Sequence, residues 1–344
     1  MRRLGVWCFG VLVLWLALLG SNQARTVTDA AGRVVEIPET VPRVFAAGPP
    51  ASALLYVLAP EKMIGWTSAP RDAEKPFLNL ATRNLPELGR LTGRGNTLSL
   101  ERLLAAKPDL IVDFGTINDT YRSLADRVQA QTGIPYLLID GRFENIPAAL
   151  RLLADVLGVP QRGENLAREA ERIFAAVDEV VARVPEAQRP RIYLARGTDG
   201  LESGTRRSIN TELIERVGAL NVVDGLREKG GLVRVGAEQL LTFAPDTIIT
   251  LNRGLRDTFA TRPPWPQLAA VSSGRVYVAP SLPFGFIDSP PSINRLVGLT
   301  WLLHRLYPEQ VRGNLRAEVA AFYRLFYQVE LDEAGLDRIL AGPQ

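Results

Sequence analysis

Apolar and polar positions follow two rhythms along this chain. Residues 26–38, Thr-Val-Thr-Asp-Ala-Ala-Gly-Arg-Val-Val-Glu-Ile-Pro, alternate around a turn and predict a small β-hairpin. Beyond it, short apolar runs at Arg43–Ala47, Met63–Trp66, Leu110–Phe114 and Pro135–Ile139 read as strands. Gly48-Pro49-Pro50 breaks the first run. Helical patterns at Ala51–Leu58, Leu98–Ala106, Tyr121–Thr132 and Ile146–Leu157 lie between or after the strands. This βαβα order predicts a parallel sheet with helices on its faces.

A longer helical pattern runs from about Glu164 to Val184, between Pro160 and Pro185, with apolar Leu166, Ile173, Val177 and Val181 among charges. It reads as the single connector between two halves. The alternation then restarts. Arg191–Ala195, Thr247–Leu251 and Arg275–Val278 are expected as strands. Thr211–Val217, a segment ending at Leu240–Phe243, Ser292–Leu306 and Leu315–Val329 are expected as helices. The halves also echo one another. At an offset of 137, residues 99–112 match 236–249 at Glu101/Glu238, Leu103/Leu240, Leu104/Leu241, Pro108/Pro245, Asp109/Asp246 and Ile111/Ile248. Each copy is a helix, a Pro-Asp turn and a buried strand. The expected fold class is therefore α/β: two Rossmann-like lobes with central parallel sheets, joined by one long α-helix. The expected divisions are an export segment at 1–24, an N-terminal lobe at 25–160, a connecting helix at 161–186 and a C-terminal lobe at 187–344.

Composition narrows the classes. The 344 residues are 47% apolar and 22% charged, with one Cys and one His, which excludes disordered, collagenous and disulfide-rich proteins. A net charge of +3 invites a nucleic-acid reading. The N-terminus weakens it. Met1-Arg2-Arg3, an apolar run from Leu4 to Leu19 and the small-residue end Gly20–Ala24 describe a secretory signal peptide, with cleavage expected after Ala24. An uncleaved anchor is the competing reading. Cleavage would remove two arginines and no acid, leaving the balance near neutral, and no nucleic-acid partner is expected. It would also remove Cys8, the only cysteine. Arginine makes up 36 of the 40 basic residues. Its planar fork suits carboxylate or oxyanion ligands.

Catalytic sets are scarce. His304, the only histidine, sits in a helical segment, so no bare-metal centre is expected. There is no Gly-x-Ser-x-Gly elbow, and Gly89–Gly95 lacks the signature of a phosphate loop. Asp113 and Asp140 lie near strand ends and read as capping or solvated carboxylates. A secreted α/β enzyme using either one is the alternative of another class. Ligands of open α/β sheets bind outside the carboxyl ends of the strands. The loops expected there offer Pro49, Trp66, Arg71, Gly115 and Tyr121 in the first half. In the second half they offer Arg206, Arg207, Asn252, Arg253, Phe284 and Phe286. Aromatic groups with several arginines suit a bulky, flat or anionic ligand.

These features resemble a known family. The paired Glu…Pro-Asp segments, the opening Asp29-Ala30-Ala31-Gly32-Arg33, Pro42-Arg43-Val44 and Ile64-Gly65-Trp66 are similar to periplasmic solute-binding proteins of iron-siderophore, haem and vitamin B12 ABC importers. The resemblance implies two rigid lobes on one helix, a ligand cleft between them, small closure and no catalytic activity. It also implies no cofactor and a periplasmic, monomeric protein. Its partners would be an inner-membrane ABC permease with its ATPase, met through one exposed Glu per lobe, here Glu101 and Glu238. Among ligands it implies a ferric-siderophore or similar metal complex first. Haem, cobalamin, molybdate and tungstate are the alternatives.

Overall fold

The structure, a computed structural model, describes residues 24–93, 95–226 and 231–341. The expected export segment lies outside them except for Ala24. Strands β1 (Ala24–Thr28) and β2 (Val34–Pro38) form the expected antiparallel hairpin. The Asp29 carboxylate closes its turn by accepting from the amides of Ala31 and Arg33 at 3.0 and 2.9 Å. Gly32 supplies the left-handed φ of 74° that this turn requires.

The N-terminal lobe continues with β3 (Val44–Ala46), α1 (Pro49–Leu58), α2 (Leu100–Ala105) and β4 (Leu110–Gly115). It ends with α3 (Asp119–Thr132), β5 (Tyr136–Asp140) and α4 (Ile146–Val156). Its sheet is parallel, in the order β3-β4-β5. β4 is buried nearly throughout, which is why it reads as an apolar run rather than an alternation. α1 starts on Pro49-Pro50, whose fixed φ and missing N–H suit a first helical turn. The Asn118 side chain caps α3 by accepting from Tyr121 N at 3.1 Å, and left-handed Gly133 ends it.

Helix α5 (Pro160–Arg183) begins a turn before the expected start, because Pro160 opens the helix instead of bounding it. Its buried stripe of Leu166, Ala170, Ile173, Val177 and Val180 follows the helical repeat. The C-terminal lobe then carries β6 (Arg191–Ala195), β7 (Glu202–Gly204), α6 (Glu212–Arg216), β8 (Leu220–Asn221) and β9 (Leu232–Arg234). α7 (Ala237–Phe243), β10 (Thr247–Thr250), α8 (Arg253–Thr258), α9 (Ala269–Ser272) and β11 (Val276–Val278) follow. The last helices are α10 (Arg295–Leu306), α11 (Leu315–Phe322) and α12 (Glu333–Leu340). The second sheet is parallel, in the order β11-β10-β6-β8.

The internal echo has a structural counterpart. In the first lobe Arg43 N donates to the Asp109 carboxylate at 2.9 Å, and Asp109 N donates to Arg43 O at 2.8 Å. In the second lobe Arg191 and Asp246 make the same exchange, each bond 3.0 Å. The next residues pair in the same register, Val44 with Leu110 and Ile192 with Thr247. The Pro-Asp turn thus fixes which strand lies beside which in both lobes.

Two expectations differ. Met63–Trp66 forms isolated bridges to Val44 and Glu87 rather than a strand, because Gly65 and the bend after Trp66 leave no run to pair. The helix expected to Val329 leaves α geometry after Phe322 and closes with a π turn at Tyr323–Tyr327. α5 joins the halves along the chain as expected, and packing adds a second, noncovalent junction. The C-terminal tail returns to the first lobe: Tyr56 Oη donates to Tyr327 O at 2.8 Å, and Arg338 stacks over Phe77 at 5.0 Å. One apolar core runs from Leu54 through Leu150, Ile173 and Leu296 to Phe326. A large apolar junction of this kind resists relative motion of the lobes. Among the described residues, no helix is long and apolar enough to cross a membrane.

Candidate functional site

A cleft of about 650 Å³ opens between the lobes at the carboxyl ends of β4 and β6. The sequence places it there because parallel strands end together and deliver their following loops to one edge. From the first lobe it is lined by the start of α1 at Pro49, by Arg90 and Thr92, by Asp113–Ile117 and by Tyr121. From the second lobe it receives Arg196, Ile209, Asn210 and the Asp288–Pro291 loop.

The two walls differ electrostatically. On the second lobe, Arg196 pairs with buried Asp288 and reaches Glu202 at 3.3 Å. Asn210 Nδ2 donates to Asp288 Oδ1 at 3.0 Å, so that carboxylate is neutralised and hydrogen-bonded. On the first lobe, Asp113 points from β4 into the cleft and is 6% exposed. Its two oxygens accept from Thr92 Oγ1 and Tyr136 Oη, each at 3.1 Å. Burial pushes the Asp113 carboxyl up to about 6, against the lowering effect of these hydrogen bonds. Burial also raises the Tyr121 phenol, with Asp113 adding to the effect. Asp113 is therefore a buried carboxylate in the cleft wall, not the solvated or capping group its strand-end position suggests. Asp140 is different. Its burial would raise it, but hydrogen bonds from Arg142 and Asn145 outweigh that and hold it below its ordinary range, away from the cleft.

The expected ligand residues divide into groups. Pro49, Gly115 and Tyr121 line the cleft. Trp66, Arg71 and Phe284 line a side chamber of about 260 Å³ that shares Pro49, Ser289 and Pro290 with it. There Trp66 is almost wholly buried, donates Nε1 to Thr82 O at 2.8 Å, and stands with Tyr56, Phe284 and Tyr327 in an aromatic cluster between the lobes. Phe286 lies in the core and lines neither space, because Phe286 N donates to Pro280 O and turns the loop inward. Arg206 and Arg207 stay at the surface, with Arg206 paired to Asp224 at 3.1 Å. Asn252 caps α8, and Arg253 is drawn to the Ala341 carbonyl of the C-terminal tail and does not line the cleft. Glu101 and Glu238 are exposed in the first turns of α2 and α7.

Sequence reasoning missed Arg90, Thr92, Arg196, Asn210 and Asp288. Arg196 was within reach, since it directly follows β6 as Phe114 and Gly115 close β4. The others come from long loops whose path the local pattern does not encode. Among the described residues, no group of three or more His, Cys, Asp or Glu could hold a metal ion.

Comparison with known proteins agrees with this architecture. The family model described as periplasmic binding protein matches residues 62–282. An ABC transporter solute binding protein from Sulfurospirillum deleyianum is 31% identical, with a TM-score of 0.83, covering 92% of this chain and 99% of that one. The molybdate-binding protein MolA of Haemophilus influenzae is 24% identical over 88% of this chain and 91% of its own. A vitamin B12-binding protein of Pectobacterium atrosepticum is 27% identical over 60% of this chain and 70% of its own. With the cleft between two parallel-sheet lobes, these matches establish that the chain belongs to the periplasmic binding protein family, whose members are substrate-binding transport proteins of ABC importers and not enzymes.

Proposed function

We propose that this protein captures a ferric-siderophore or similar organic metal complex and delivers it to an ABC permease and its ATPase. The observation that carries this reading is a cleft of about 650 Å³ to which each lobe contributes an arginine, Arg90 and Arg196. Spaces of about 300–1,000 Å³ suit ligands of drug size, and a lone tetrahedral oxyanion fills a small fraction of one. The Arg90 guanidinium suits the oxygen-rich, anionic edge of such a complex, and Arg196, held by Asp288 and Glu202, gives the opposite wall a polar, ion-paired lining. The adjoining chamber with Trp66 and Phe284 offers room for an apolar or planar arm.

On this reading the segment 1–24 is removed on export, and the monomeric mature protein works in the periplasm. Glu101 and Glu238 then meet the two halves of the permease. Cobalamin and haem are larger or flatter versions of the same cargo class. Molybdate or tungstate is the second reading, favoured by the match to MolA along most of both chains.

The test is calorimetric titration of the protein from Arg25 onward with ferric siderophores, haem, cobalamin, molybdate and tungstate, with metal analysis of the loaded protein. Micromolar or tighter binding of a ferric complex is expected. If only molybdate or tungstate binds, the second reading replaces the first.

A further inference from the structure

The carboxylates on the two cleft walls are not equivalent. Asp288 is neutralised by Arg196, whereas Asp113 has two side-chain hydrogen-bond donors, Thr92 Oγ1 and Tyr136 Oη, and no ion pair among the described residues. A buried charge left without a counter-charge is costly unless something supplies one. Thr92 and Tyr136 each spend their only hydroxyl proton on it, so neither can pass a second donor to a ligand. The remaining open side of Asp113 faces the cleft.

We propose that Asp113 receives a hydrogen-bond donor or cationic group of the ligand. The cleft is then bipolar, with Arg90 of the first lobe toward an anionic edge and Asp113 toward a protonated one, while Arg196 is held by Asp288 and Glu202. It selects a metal complex that carries an amide, hydroxyl or ammonium group beside its metal centre, and it disfavours a bare oxyanion. This rests on the metal-complex reading above and narrows it.

The neighbouring charged and titratable groups are few. Tyr136 on β5 bonds Asp113 directly, and Tyr121 on α3 faces it. Arg33 of the hairpin reaches the Tyr136 backbone carbonyl at 3.0 Å. Arg90 lies on the adjoining loop, and Arg196 and Asp288 lie on the opposite wall. The phenols of Tyr121 and Tyr136 are raised above their ordinary range, so Asp113 is the group here that changes charge near pH 6.

The experiment compares the wild-type protein with Asp113→Asn at pH 5.5 and pH 8, by calorimetry, against three probes. These are molybdate, a ferric trihydroxamate with a free ammonium group, and the same complex N-acetylated. A hydrogen bond to a charged group sets the expected scale at roughly 10- to 100-fold in affinity. At pH 8 the wild type should prefer the ammonium form over the acetylated form by about that factor, and Asp113→Asn should lose the preference. Molybdate should bind Asp113→Asn more tightly than wild type at pH 8. Acidification should strengthen its binding to the wild type alone.

Equal binding of the trihydroxamates by both proteins would overturn the role of Asp113 and leave the metal-complex reading intact. A response confined to molybdate, with the predicted variant effect, would support Asp113 and overturn the metal-complex reading. Silence from all three probes in both proteins would overturn both.

Discussion

Arg295, wholly buried at the start of α10, donates Nη2 to the carbonyl of Gly141 in the opposite lobe at 2.9 Å. The same guanidinium donates to Ile209 O and pairs with Glu212, both at 2.6 Å, and lies over the Phe143 ring at 4.7 Å. It is thus a staple between the lobes directly behind the cleft. Burial pulls the guanidinium below its ordinary range, and Glu212 offsets this. Removing one partner of a buried pair costs about 3–5 kcal/mol. Arg295→Ala should lower the unfolding free energy by that order, measured by urea denaturation. A loss under about 1 kcal/mol would mean that the staple is dispensable.

Gly141 sits where no side chain fits. A Cβ there would lie 2.7 Å from Gly115 Cα and 2.9 Å from Gly115 N, and backbone cannot swing aside as a side chain can. Gly141→Ala should cost about 1–3 kcal/mol by overpacking the ends of β4 and β5. Because Gly141 also accepts from Arg295, the double variant should lose less than the two single losses added together. Strict additivity in a double-mutant cycle would contradict the contact.

Asp113 should leave a signature in the pH dependence of stability. Its carboxyl is raised to about 6 in the fold, whereas the unfolded chain titrates near 3.9. Between those values the folded protein holds a proton that the unfolded chain lacks. The contribution of this group to stability is therefore highest at low pH, falls as pH rises through about 4 to 6, and is level above. The span corresponds to roughly 2–3 kcal/mol. Asp113→Asn should remove that slope from urea midpoints taken between pH 4 and 7.5, and it should not be less stable than wild type at pH 7. An unchanged slope would show that Asp113 titrates like a solvated carboxylate.

Legibility in the sequence followed the range of the interactions. The paired Pro-Asp turns were readable because the same short motif recurs in both halves, although the exchanges they make, Arg43 with Asp109 and Arg191 with Asp246, span 66 and 55 residues. Strands such as Leu110–Gly115 were readable because burial on both faces leaves an apolar run broken only by Asp113. The cleft was only half readable. The rule that ligands sit beyond strand ends found Gly115 and Tyr121 but also led to Asn252 and Arg253, which follow β10 yet serve α8 and the C-terminal tail. Aromatic character misled at Phe286, because an inward-turned loop can use a phenylalanine as core as readily as a binding wall can. The return of Tyr323–Leu340 onto α1 and Phe77 depends on contacts more than 240 residues apart in sequence, and no local periodicity carries that information.

Glu101 and Glu238 occupy matching places, exposed in the first turns of α2 and α7 and just ahead of the two Pro-Asp turns. A carboxylate there is favoured by the helix dipole whether or not it meets a partner, so position alone does not separate a structural role from docking. Charge reversal does. Exposed acids of this kind should contribute under about 1 kcal/mol each to stability. Glu101→Arg with Glu238→Arg should therefore leave the melting temperature and the affinity for cargo nearly unchanged, while uptake by cells carrying the cognate permease is lost. Each single variant should retain partial uptake, because one lobe still engages its half of the permease. Reduced ligand affinity in the double variant, or undiminished uptake, would remove these residues from the docking face.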